Sequence, residues 1–121
     1  MNEIFIRLNK SNFRKSFQLK KTDFDYINKK GLDTIKKHAY DFVRTRLSDT
    51  SKILDGKQTL TKGHPVFIAQ HATASCCREC LYKWHKIAKN RPLTDYETDY
   101  VVNIIMQWIE NQLLLNSQKN K

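Results

Sequence analysis

The sequence predicts an all-α fold, a compact single-domain helical bundle with a long loop and a Cys/His-rich turn. Three observations carry that reading. Only three glycines and two prolines interrupt 121 residues; no stretch alternates apolar and polar residues at period two; and several stretches repeat apolar residues three and four apart. With 40% of residues apolar and 11% aromatic, a real core is within reach and wholesale disorder is excluded. The length suits one domain and not two. We expect that domain over residues 1–115, followed by a frayed tail at 116–121.

The elements follow in order. Residues 3–9 and 11–18 read as two short helical pieces anchored by Ile4, Phe5, Leu8, Phe13 and Phe17. Thr22 is placed to cap a helix running toward Lys30, and Gly31 to stop it in the left-handed position. Asp33 opens a better helix with Ile35, Ala39, Phe42 and Val43 on one face and Lys37 and Arg44 on the other. Residues 48–63 lack periodicity and hold two of the three glycines, so a long polar loop is expected there. Pro65 suits the first turn of a helix carrying Val66, Phe67, Ile68 and His71. Leu81–Lys89 reads as a short helix. Thr94 and Glu97 form a capping-box pair that opens the longest helix, residues 95–115. Val101, Ile104, Ile105, Trp108 and Ile109 are its buried stripe, with Asp99, Asn103, Gln107 and Glu110 opposite.

Charge is the diffuse functional signal. Twenty-two Lys/Arg oppose twelve Asp/Glu, a formal +10. The excess sits early: twelve basic against five acidic groups in residues 1–47, eight against three in 48–91, and two against four in 92–121. Such an excess attracts polyanions, nucleic acid first. Lys37, Arg44, Lys83, Lys86, Lys89 and Arg91 are the candidate phosphate contacts. Tyr82 and Trp84 among these cations suit base stacking, although helical spacing equally packs Trp84 beside Leu81 and Ala88. The bland alternative is a solvated, lysine-rich surface. No apolar run approaches the roughly 18–20 residues of a membrane span, and the opening MNEIFIRLNK lacks a secretory signal, so a cytoplasmic location is expected. Nothing in the pattern specifies an oligomeric state.

The sharp signal is HPVFIAQHATASCCRECLYKWH, residues 64–85, which holds all three cysteines and three of the four histidines. Three clustered cysteines do not read as a disulfide framework. Thiolates with imidazoles are what zinc prefers, and Cys77 and Cys80 have the C-x2-C spacing of a zinc knuckle. We take Cys77, Cys80, His71 and His85 as the expected ligand set, with Cys76 as the substitute. Geometry attaches a condition. In one unbroken helix Cys77 and His85 would lie about 12 Å apart along the axis, so joint ligation needs a turn at 76–80 and a helix starting near Cys80. An iron–sulfur cluster is the weaker choice, since three cysteines would need a histidine as fourth ligand. Thiol redox chemistry and simple burial as small hydrophobes are the other readings.

No catalytic residue is identifiable. GxSxG, HExxH, paired catalytic carboxylates and the dinucleotide fingerprint are absent. The segment Asp55-Gly56-Lys57-Gln58-Thr59, with Lys62-Gly63-His64, mixes groups that can hold a phosphate but lacks GxxxxGK[ST]. A metal-assisted hydrolase or nucleic-acid-processing enzyme using His64, His71 and the cluster is one alternative; a protein-interaction module is another. His38 reads as an ordinary boundary residue.

The stretches GKQT (56–59), GHPVFIAQHATASCC (63–77), R-x-CL-x-KWH (78–85) and YVVNIIMQWIE (100–110) together resemble the uncharacterised domain-of-unknown-function family 4186. KGLDTI-x-x-HA-x-DF (30–42) resembles that family's earlier segment. Members read IPKG after KWH; here Ile87-Ala88-Lys89-Asn90 departs, beyond the Cys/His positions. The resemblance implies a single-domain protein whose cluster is a family feature, and supplies no activity. The expectation is a small metal-binding protein, zinc the ion, whose basic face engages nucleic acid.

Overall fold

The structure, a computed structural model, describes residues 2–48 and 59–119. Most of the expected 48–63 loop, including Asp55–Gln58 of the proposed phosphate-holding segment, lies outside these residues. The elements are α1 (Asn2–Asn9), α2 (Asn12–Lys15), α3 (Lys21–Lys30), α4 (Leu32–Phe42), α5 (Pro65–Ala72), α6 (Arg78–His85) and α7 (Asp95–Lys119). Six further residues, Val43–Ser48, continue α4 in wider π-helical turns. Among the described residues there is no strand, and no helix is long and apolar enough to cross a membrane.

The core forms where α4, α5 and α7 meet. Ile35, Ala39, Val43 and Leu47 present one continuous face, all fully buried, although the π turns change the residue spacing after Phe42. From α7 come Val101, Val102, Ile105 and Ile109. Between them, α5 offers Val66 and Ala69, both without exposed surface; the small Ala side chain lets the helices approach closely. Burying each Ile or Leu stabilises the fold by roughly 1.5–3 kcal/mol. A second cluster, Ile4 and Leu8 of α1 with Ala74 and Ile104, joins the N-terminus to α7. The buried Gln112 ties the chain before α3 to α7, its Oε1 accepting from the Leu19 amide at 3.1 Å.

Several ends follow local chemistry. Gly31 has φ 88° and its N–H bonds the Ile27 carbonyl, so it ends α3 and opens α4. The Thr94 hydroxyl accepts from the Glu97 amide at 3.1 Å while the Glu97 carboxylate accepts from the Thr94 amide at 3.0 Å, a complete capping box. Several boundaries differ from expectation, among them α6, which runs Arg78–His85 where Leu81–Lys89 was expected. Helix α3 starts at Lys21, ahead of Thr22, because the Asp23 carboxylate reaches back to the Lys20 amide at 2.9 Å. Helix α7 continues to Lys119, past the expected 115.

His64 caps α5. Its Nδ1 accepts from the Val66 amide at 3.0 Å, so the remaining proton sits on Nε2, which donates to His38 Nδ1 at 3.0 Å. Tyr26, Phe42 and Phe67 surround the ring. Burial, with a smaller contribution from His38, lowers the His64 pKa to about 4. The unfolded imidazole takes its proton near pH 6.5, so this contribution to stability is complete above that value and is lost as pH falls toward 4. Urea unfolding at pH 7 and pH 4.5 should therefore show acid destabilisation. His64→Asn keeps a capping acceptor and should make that loss smaller; an equal loss in the variant would remove His64 as its source.

Candidate metal centre

The site is built by the reversal between α5 and α6. Thr73 ends α5, its hydroxyl donating to the Ala69 carbonyl at 2.8 Å. Ala74 then takes φ 56°, an uncommon conformation for a residue with a Cβ, and is fully buried. The turn is held from below: the Ser75 amide donates to the Gln70 carbonyl at 2.8 Å, and Gln70 Nε2 donates to the Ser75 carbonyl at 3.1 Å. The Thr59 hydroxyl donates to the Cys76 carbonyl at 2.6 Å. These bonds satisfy buried polar groups that would otherwise cost roughly 1–3 kcal/mol each.

Cys77 is the N-cap of α6, in extended backbone, and its sulfur accepts from the Cys80 amide at 3.4 Å. The helix N-terminus favours negative charge at that sulfur. Cys76, just before the cap, and Cys80, in the first turn, lie 3.6 Å apart sulfur to sulfur. All three sulfurs fall within 4.8 Å of one another, a group able to hold a metal ion. Cys76 and Cys77 are buried and Cys80 is half-buried; none is in a disulfide.

A residue the sequence gave no reason to single out completes the arrangement. Arg14 of α2 is buried, 8% exposed. It donates to Cys80 Sγ at 3.2 Å, to Cys76 Sγ at 3.7 Å and to the His71 carbonyl at 2.7 Å. Among the described residues no carboxylate pairs with it; the acidic groups it faces are thiols. Burial works against its charge, but the bonds and charges of the two cysteines outweigh that and raise its pKa. Contact with Cys77 and Cys80, then burial, pushes the Cys76 thiol far up against the opposing pull of Arg14. At Cys80 the bond from Cys76 pulls down, while Cys77 and burial leave the thiol raised. Trp84 lies beside the centre, with the guanidinium carbons of Arg7 and Arg14 at 5.2 and 5.8 Å from its ring.

The two expected histidine ligands lie elsewhere. Helix α6 begins at Arg78, so the turn that joint ligation required is absent and His85 stands at the far end of the helix. Its Nε2 meets the Thr73 carbonyl at 2.8 Å and its Nδ1 the Tyr100 hydroxyl at 2.9 Å. His71 Nε2 is shared between the carbonyls of Thr59 and Leu60, each at 3.2 Å, and its ring stacks on Phe17. Burial lowers both pKa values. Among the described residues no imidazole joins the sulfur group.

The candidate phosphate contacts divide in two. Lys83 and Lys89 both pair with Glu79, and Arg91 makes a two-point pair with Glu97. Lys37, Arg44 and Lys86 are exposed; Arg44 sits 4.8 Å from the Tyr40 ring, and Lys86 ends α6 with φ 59°. Arg78 is instead structural, fully buried and donating to the carbonyls of Leu47 and Ala88. That anchor fixes the turn at 87–90, where the sequence departs from the family pattern.

These features define an all-helical domain with a three-cysteine group able to hold a metal ion. The chain belongs to the family described as Domain of unknown function (DUF4186), which matches residues 2–110. No solved structure matches it.

Exposure orders thiol reactivity. In native protein a disulfide reagent should modify Cys80 first, with Cys76 and Cys77 slower. Trypsin cleavage after Arg78 places Cys80 in a separate peptide, so mass spectrometry can check the order. Equal labelling of all three would contradict the burial of Cys76 and Cys77.

Proposed function

We propose that this protein binds a divalent metal ion through Cys76, Cys77 and Cys80, with zinc as the ion. The observation that carries this reading is a buried Arg14 donating to two of three converged sulfurs, with no carboxylate beside it among the described residues. Three thiolates carry three negative charges, a divalent ion and Arg14 three positive ones, so the loaded centre is neutral. A buried centre with unbalanced charge would cost several kcal/mol. Sulfur donors favour zinc over magnesium or calcium. Three protein ligands leave the fourth tetrahedral position to a ligand from outside the cluster. An iron–sulfur centre is less well served, because no imidazole stands with the three cysteines.

A binding role is better supported than catalysis. Clefts of about 640 and 590 Å³ open at residues 18–28 with 112–119 and at 16–26 with 61–68, and neither is lined by a cysteine. His64, named for the enzyme alternative, has both ring nitrogens engaged. The ion would join α2 and the α5–α6 turn locally, on a core that α4, α5 and α7 already supply.

Protein purified without chelator should carry about one zinc per chain and show no visible absorption. Cys76→Ser, Cys77→Ser and Cys80→Ser should each lose the ion. Arg14→Met should weaken zinc binding by about 10–100-fold. Because ligation displaces protons, affinity should rise with pH. Metal-free wild type that also fails to take up added zinc would end this reading.

A polyanion partner is a second reading, favoured by the +10 charge and by exposed Lys37, Arg44 and Lys86. The pairing of Lys83, Lys89 and Arg91 with carboxylates reduces the set expected to contact phosphate. Fluorescence anisotropy with short DNA and RNA should give an affinity that falls steeply with salt. Flat salt dependence, or no binding at low salt, would remove it.

A further inference from the structure

We infer that the same three sulfurs take a trivalent thiophilic metalloid, arsenite in the first instance, as a three-coordinate tris-thiolate. This rests on reading Cys76, Cys77 and Cys80 as one donor set, and it concerns which ligand class that set completes. A tetrahedral ion needs four donors; the cluster offers three. Every ring nitrogen of His85 is engaged elsewhere, His71 Nε2 is held by two carbonyls, and among the described residues no carboxylate or imidazole enters the group. Trivalent arsenic is satisfied by three sulfurs, because a lone pair occupies its fourth direction. The donor shortfall for zinc is a full complement for arsenic.

Spacing and access agree with that stoichiometry. Cys76 and Cys80 lie 3.6 Å apart, close enough for both sulfurs to bind one centre, and all three sulfurs lie within 4.8 Å of one another. Half-buried Cys80 is the point of entry, with the buried Cys76 and Cys77 closing the chelate behind it. The chemistry is condensation without redox change. Each thiol forms one S–As bond, its proton leaves with one hydroxide of arsenous acid as water, and three thiols with As(OH)₃ give the tris-thiolate and three waters. The protein has only three cysteines, so stoichiometry reports on this cluster alone.

Charge separates the two ligands. The arsenic tris-thiolate is neutral by itself, so it does not draw on the charge of Arg14, whereas three thiolates around a divalent ion do. Arg14→Met removes hydrogen bonds to Cys76 and Cys80 in either case, but should weaken zinc, by about 10–100-fold, more than it weakens arsenite.

The experiment titrates reduced, chelator-treated full-length protein with sodium arsenite, following tryptophan fluorescence and intact mass under non-denaturing conditions. The expected result is one arsenic per chain with loss of three hydrogens, and displacement by excess zinc. Each single Cys→Ser variant, checked for native helix content by circular dichroism, should lose at least about tenfold in affinity, since a dithiol lacks the third sulfur held close by. Wild type binding no tighter than the Cys→Ser variants, or zinc binding with no arsenite uptake, overturns the inference and leaves the zinc site standing. Failure of both ligands overturns the shared donor set as well.

Discussion

Arg14 is a guanidinium withdrawn from water that donates to two sulfurs and a peptide carbonyl and lies against the rings of Phe13 and Trp84. That one constraint organises the region around it. It holds α2 against the end of α5 through the His71 carbonyl, and against the start of α6 through Cys80. It also brings a positive charge within hydrogen-bonding reach of two of the three converged sulfurs. A buried charge without a carboxylate is costly unless something nearby supplies the counter-charge. Among the described residues the cysteines are the groups placed to do so, and a metal ion bound there would allow all three to ionise together.

The histidines show why residue type and spacing do not by themselves make a ligand. Each imidazole in residues 64–85 has a structural task. His64 caps a helix, His71 gathers two carbonyls at the edge of the 59–60 segment, and His85 bridges the α5–α6 turn to Tyr100 of α7. Burial keeps these rings neutral, which suits hydrogen bonding to carbonyls as well as it would suit ligation. Residues 64–85 thus combine one sulfur cluster with three hydrogen-bonding brackets that hold the surrounding backbone.

Positive charge is likewise divided between tasks. Arg14 and Arg78 are buried and bind carbonyls or sulfurs, Lys83 and Lys89 share Glu79, and Arg91 grips Glu97. Composition counts all of them equally, but only exposed cations remain for a partner. A surface pair such as Lys83–Glu79 contributes little to stability, yet it lowers what that lysine offers to a phosphate.

The sequence by itself determined the helical class and most of the helices, because those signals are local. A proline at a first turn, a glycine with positive φ, a Thr-x-x-Glu box and apolar residues three and four apart act within one or two turns of chain. It also placed three cysteines close enough to converge. Tertiary structure decided which partners they met. Cysteine is not among the usual N-cap residues, so nothing local marked Cys77 as the start of α6, and that boundary moved His85 away from the sulfurs. Arg14 lies 62 and 66 residues from the cysteines it contacts, and it was one of twelve basic residues in its part of the chain. Only the packing of α2 onto the α5–α6 turn distinguishes it, because a charge takes on that role when neighbouring elements exclude water from it.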